Sequence, residues 1–222
     1  MKINNNELAN NSMTRLPISI LLDVSGSMRG EPIKKLNEGL ALFINEVLND
    51  EISSLAADIS IITFGGNISL VTGFTEVQNI DLPEFLAQGD TPMGEAINKS
   101  LDLLDERKKE YEKNAIENYQ PWMCLMTDGH PTDNDNIISA SERTKDLVNN
   151  RKLTIFPVAI GDQVNMNTLS NISPKTPPLR LEGLKFKEYF EWLSGSISMV
   201  SQSQRGESVE LLSTESWAKI SI

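Results

Sequence analysis

Leu16-Pro-Ile-Ser-Ile-Leu-Leu22 runs directly into Asp23-Val24-Ser25-Gly26-Ser27. A strand-length apolar run closed by an acidic residue and a Gly/Ser cluster reads as a buried strand that ends in a polar loop. Downstream, residues 31–48 carry apolar side chains at Ile33, Leu36, Leu40, Phe43, Ile44, Val47 and Leu48, which is one face of a helix. Pro32 suits its first turn. Residues 58–64 (DISIITF) form a β-branched second strand. Gly65-Gly66-Asn67 then turns the chain, and residues 68–71 return antiparallel as a hairpin.

The same alternation continues along the chain. A short helix is expected over residues 82–86, and Gly89-Asp90-Thr91-Pro92 is a loop. A helix follows from Met93 into the charged run at 106–113, with Ile97, Leu101 and Leu104 inward. Residues 122–126 are an apolar strand ending at Thr127-Asp128-Gly129, and 137–148 a helix. Residues 153–160 (LTIFPVAI) are another buried strand. A loop-rich segment with one short helical turn leads to a short strand at 179–181. Phe186, Tyr189, Phe190, Leu193, Ile197 and Val200 mark a last amphipathic helix.

Strands alternating with helices predict an α/β fold: a doubly wound, mostly parallel sheet of about six strands with one antiparallel edge strand and helices on both faces. The expected division is a flexible tail over 1–15, one domain over 16–202, and a C-terminal extension over 203–222 that packs back on it. The cluster 209–212 and Trp217 read as the contacts of that extension.

Composition narrows the partners. The 222 residues carry a formal net charge of −11, so phosphate backbones and anionic membrane surfaces repel the chain. Neither nucleic acid nor membrane is expected as a partner. The same field concentrates cations. Cys124 is the only cysteine, which forbids an internal disulfide and suits a cytoplasmic location. No apolar leader is evident near the N-terminus, and the apolar runs are strand-sized.

In a sheet of order 3-2-1-4-5-6, the first and fourth strands meet where the order reverses, which is where open sheets bind ligands. Asp23 and Asp128 end those two strands and meet there. Thr91 opens the intervening helix and faces the same crevice. Asp23, Ser25, Ser27, Thr91 and Asp128 are all oxygen donors, suited to a hard cation such as Mg²⁺. The Asp-x-Ser-x-Ser spacing points three side chains to one side of an extended loop, with Gly26 relieving crowding between the serines. Alone, that spacing arises by chance in roughly one chain in twenty of this size. Placed after the first strand, with Thr-Pro and Thr-Asp-Gly at fitting points, it carries more weight. The blander reading makes the serines helix caps and Asp128 a turn residue.

DVSGSM, GDTPMGEA and LMTDGHPTD resemble the three segments of the metal-ion-dependent adhesion site of von Willebrand factor A (vWA) domains. The resemblance implies a vWA/Rossmann-like fold, with Asp23, Ser25, Ser27, Thr91 and Asp128 as metal ligands. It also implies Mg²⁺, Mn²⁺ or Ca²⁺ as the ion and a partner protein that offers a carboxylate or phosphate. LPISILLDVSGSMRGEPIKKLNEGL and the tail GESVELLSTESW are similar to the bacterial TerY-type subfamily associated with tellurite resistance. Its members are typically encoded beside a Ser/Thr-kinase-like protein and a PP2C-type phosphatase. Asp90 stands where glycine is common in relatives, and a third carboxylate there either tightens cation binding or points to solvent.

Other chemistries fit less well. His130, the only histidine, either lines the crevice as a modulating neighbour or is an exposed loop residue. Cys124 lies within a strand and reads as a small buried hydrophobe. The 26–30 loop lacks both nucleotide-binding glycine patterns. Ser25 stands where an aspartyl-phosphate enzyme of the haloacid dehalogenase type would place a second aspartate. With no positioned general base, the reading is a binding module and not an enzyme. A metal-assisted phosphoester hydrolase using Asp90, Asp128 or His130, or a scaffold without metal, are the alternatives.

Overall fold

The computed structural model describes residues 11, 13–204, 206–215 and 218–220. The first ten residues of the expected tail, and Trp217, lie outside the described residues.

The 16–23 stretch is strand β1 (Leu16–Asp23), and every residue in it is buried. It pairs in parallel with β2 (Ala57–Gly65) on one side and β4 (Trp122–Thr127) on the other. A strand in that position is covered on both faces, which is why it reads as a continuous apolar run. The sheet has the order β3-β2-β1-β4-β5-β6-β7, with β3 (Asn67–Glu76), β5 (Thr154–Ile160), β6 (Leu179–Leu181) and β7 (Ala218–Ile220). β3 and β7 are antiparallel to their neighbours. The expected doubly wound sheet is therefore present, with one strand more than expected and an antiparallel strand at each edge.

Two hydrophobic layers sandwich the sheet. Ile18, Ile20 and Leu22 join Leu36, Leu40 and Phe43 of α1 (Glu31–Asn49) and Phe186, Phe190 and Leu193 of α6 (Phe186–Ser201). Gly39 lets α6 approach α1, since a Cβ there would lie 2.8 Å from Phe190 Cδ2. Leu21 points the other way, toward Ile97 and Leu101 of α3 (Met93–Lys113) and Ala140 of α4 (Asn134–Asn149). On that face Ser19 is met by the hydroxyls of Ser60 (3.1 Å) and Ser100 (2.7 Å), so β1, β2 and α3 share one buried polar contact. Farther along α3, Arg107 Nε donates to the buried Asp58 carboxylate of β2 at 2.6 Å, and Tyr111 donates to the same oxygen. Burial opposes the Arg107 charge, but the Asp58 carboxylate more than offsets this and holds the guanidinium protonated. α3 is thereby pinned along its length, and its N-terminus is delivered to the end of the sheet where β1 and β4 stop.

Three local expectations change. Residues 80–88 are not helical. The side chain of Asn37 bonds both backbone groups of Phe85, accepting from its N–H and donating to its carbonyl at 2.9 Å each, which holds the segment open. A short helix α2 (Glu51–Ala56) follows α1, with Asp50 as its cap accepting from Ser53 N at 2.7 Å. α5 (Met166–Ile172) is the short helical turn of the loop after β5. Arg15, at the end of the expected tail, is fully buried and ion-paired with Glu76 at 2.7 Å. Beyond α6, Trp192 Nε1 donates to Leu212 O (2.8 Å), Val209 and Leu211 pack on the core, and β7 extends the sheet.

Candidate metal centre

Asp23 closes β1 and is fully buried. Its Oδ1 accepts from its own loop, Ser25 N at 2.9 Å, and its Oδ2 accepts from Thr127 Oγ1 of β4 at 2.6 Å. The carboxylate is thus fixed by both strands that flank the reversal in strand order. The loop beyond is not extended, as the alternate spacing suggested: Gly26–Met28 form a 3-10 turn. The turn still brings the two serines together, with their Oγ atoms 2.9 Å apart. Ser27 Oγ donates to Asp128 Oδ1 at 2.6 Å. A hydroxyl has one proton, so Ser25 is the donor in the serine–serine contact. Ser25 occupies the cap position of the turn, yet its hydroxyl makes no capping bond. The blander capping role therefore does not account for it.

Thr91 is buried, and its carbonyl accepts from Met93 N (2.8 Å) and Thr132 N (3.0 Å). Its hydroxyl faces the neighbour of Asp128, since a Cβ on Gly129 would lie 3.3 Å from Thr91 Oγ1. Asp23, Ser25, Ser27 and Asp128 therefore share one run of contacts, with Thr91 at its side. Asp90 and His130 are exposed, and neither side chain is hydrogen-bonded to the other five among the described residues. The backbone carbonyl of Asp90 accepts from Gly66 N at 2.8 Å.

Several supporting residues were not singled out from the sequence. Asp133, placed to cap α4, instead accepts from Gly94 N (3.1 Å) and Glu95 N (2.7 Å), capping α3 from another loop. Gly26 N donates to Gly89 O (2.9 Å), and Gln88 N to Val24 O (2.8 Å). Gly89 has φ +68°, and a Cβ there would fall 2.3 Å from Gly66 Cα. Gly65-Gly66 read as a hairpin turn, but no local signal tells that this turn packs against residue 89. Backbone bonds hold these loops together, so the donor groups stand in place before any ligand arrives.

Electrostatics favour a cation. Burial pushes the Asp23 carboxyl above its ordinary range; bonds from Ser25 and Thr127 work against this, and the Asp128 charge adds to it. Burial likewise pushes Asp128 up. Among the described residues no Lys or Arg forms an ion pair with either. Two neighbouring carboxylates without a counter-charge are costly to bury, and a divalent ion removes that cost. No group of three or more His, Cys, Asp or Glu side chains suited to a metal occurs among the described residues. The donor set depends on hydroxyls, which fits a hard, oxygen-seeking ion and not zinc.

No helix among the described residues is long and apolar enough to cross a membrane. Among curated proteins, none matches the chain. Solved structures do. A von Willebrand factor type A protein from Catenulispora acidiphila is 17% identical with a TM-score of 0.58, over 84% of this chain and 43% of that one. Manganese-loaded TRAP from Plasmodium vivax is 20% identical with a TM-score of 0.57, over 81% and 73%. The pilus adhesin SpaC from Lactobacillus rhamnosus GG is 13% identical with a TM-score of 0.64, over 84% and 31%. This chain therefore spans less than half the length of the first and third of these. The model of the von Willebrand factor type A domain matches residues 18–183. With this match added to the sheet order and loop geometry, the chain belongs to the von Willebrand factor type A domain family.

Proposed function

We propose that the chain is a metal-dependent protein-binding module. A divalent ion, Mg²⁺ or alternatively Mn²⁺ or Ca²⁺, would be held by Asp23, Ser25, Ser27, Thr91 and Asp128. It would supply an electrophilic open position for a carboxylate or phosphate of a partner protein. The observation that carries this reading is the Ser25–Ser27–Asp128 run of contacts beside a buried, uncompensated Asp23. Three neutral hydroxyls leave the charge of the ion only partly matched, so an anionic partner group completes it. The manganese in the TRAP structure supports a divalent ion in this fold. Among the described residues no side chain beside these ligands is set as a general base, which supports binding without bond cleavage.

The TerY-type resemblance adds a setting: a bacterial stress or signalling system with a Ser/Thr kinase and a PP2C-type phosphatase. A reducing cytoplasm suits the lone, buried Cys124. The test is retention of proteins from the native host on the immobilised chain, in Mg²⁺ and in EDTA, with Asp23→Ala alongside. The module reading expects retention only by the wild type in Mg²⁺. Retention that persists through both EDTA and the substitution would show that no metal bridge is involved.

A further inference from the structure

We infer that Leu86 and Arg29 form a selective lip beside the metal centre, fitted to a partner segment in which a carboxylate stands next to an apolar side chain. This rests on the metal-dependent reading above and names the partner chemistry it would take.

Leu86 is 72% exposed, more than any other large apolar side chain among the described residues. It is also held firmly. The preceding residue, Phe85, is buried and clamped through both backbone groups by Asn37. Two residues later, Gln88 N is bonded to the carbonyl of Val24, which lies between Asp23 and Ser25. A leucine presented to water between two anchors pays little ordering entropy when a partner covers it. Covering such a side chain adds to binding roughly in proportion to the apolar area removed from water.

Arg29 supplies the polar half. It follows the Gly26–Met28 turn, and its Nε donates a long bond, 3.5 Å, to the carbonyl of Ala87, the residue after Leu86. The other guanidinium N–H groups have no partner among the described residues. Residues 23–30, 80–92 and 127–133 contain no other Lys or Arg. On a chain of net charge −11, Arg29 is the one Lys or Arg in these three segments around the metal centre. It offsets the repulsion an acidic partner would meet, and it offers a planar fork to a carboxylate or carbonyl.

The test uses two short fluorescein-labelled peptides that differ only in a leucine or a serine beside a central aspartate. Each is titrated by anisotropy against the full chain in Mg²⁺ and in EDTA. The lip predicts about tenfold tighter binding of the leucine peptide, from burial of one aliphatic side chain. In Leu86→Ser the two peptides bind alike. Arg29→Gln weakens both severalfold at low salt, and that loss shrinks at high salt. Comparing two peptides within one variant cancels any general loss of fold. Equal binding of both peptides to the wild type, a leucine preference that survives Leu86→Ser, or no binding of either peptide overturns the lip. Binding that ignores EDTA yet loses its leucine preference in Leu86→Ser supports the lip while sinking the metal-dependent reading.

Discussion

Gly89 has no side chain, yet it governs how closely the loops around Asp23 meet. Its φ of +68° disfavours any residue with a Cβ, and the nearest atom to such a Cβ is backbone, Gly66 Cα at 2.3 Å. Backbone cannot swing aside as a side-chain tip can. Gly89→Ala is therefore expected to cost about 2–4 kcal/mol, from left-handed strain together with overpacking. Urea unfolding measures it, and a cost under about 0.5 kcal/mol would show that these loops do not pack as described. At this scale the sequence was informative where residues sit in one string. Asp23, Ser25 and Ser27 announce themselves together after an apolar run. Asp133 did not, because its partners, Gly94 N and Glu95 N, lie 39 and 38 residues away. Asn37 was hidden for the same reason: on a helix it looks like an ordinary polar position, and only the fold brings Phe85 to it.

Among the elements, long periodic ones were legible and short ones were not. α1, α3 and α6 bury apolar stripes that recur over several turns, so spacing alone reveals them. α2 has six residues and β7 three, too few to show a period. The helix expected over 82–86 failed because a side chain from α1 captured the backbone that a helix would have used. α2 depends instead on its cap. The bond from Ser53 to the Asp50 carboxylate lowers that group's pKa. A depressed folded-state value means that the stabilisation is complete above the unfolded value and is lost as pH falls through the folded one. Asp50→Ala should cost about 1 kcal/mol at neutral pH. The gap between wild type and variant should close as pH falls below the ordinary carboxylate range. Thermal melts at several pH values read this, and a gap that stays constant into strong acid would remove Asp50 from the capping role.

For the whole molecule, the alternation of strands and helices with one hairpin fixes most of the strand order, and that order brings Asp23 to Asp128. The second antiparallel edge was invisible because β7 has three residues and pairs with β6 across α6 and the polar segment that follows it. The core offers its own probe of global stability. Cys124 is the only cysteine, lies in the middle of β4 with no exposure, and burial pushes its thiol up to about 12. Thiolate is the reactive form, so labelling at mildly alkaline pH must wait for unfolding. Its rate should rise with denaturant in step with global unfolding. Labelling of the native protein at the rate of a free thiol would contradict a closed sheet at β4.

The proposed role of these loops is to hold a hard divalent ion through Asp23. Calorimetric titration of the full chain with Mg²⁺ tests it most directly, with Asp23→Asn beside Asp23→Ala. Asparagine keeps an acceptor for Ser25 N and turns an amide N–H toward Thr127 Oγ1 while removing the charge, which separates loss of the site from loss of the fold. Saturable one-site binding is expected for the wild type and none for either variant, with Asp23→Asn still melting cooperatively. Binding retained by Asp23→Asn, or none by the folded wild type with either Mg²⁺ or Mn²⁺, would contradict it.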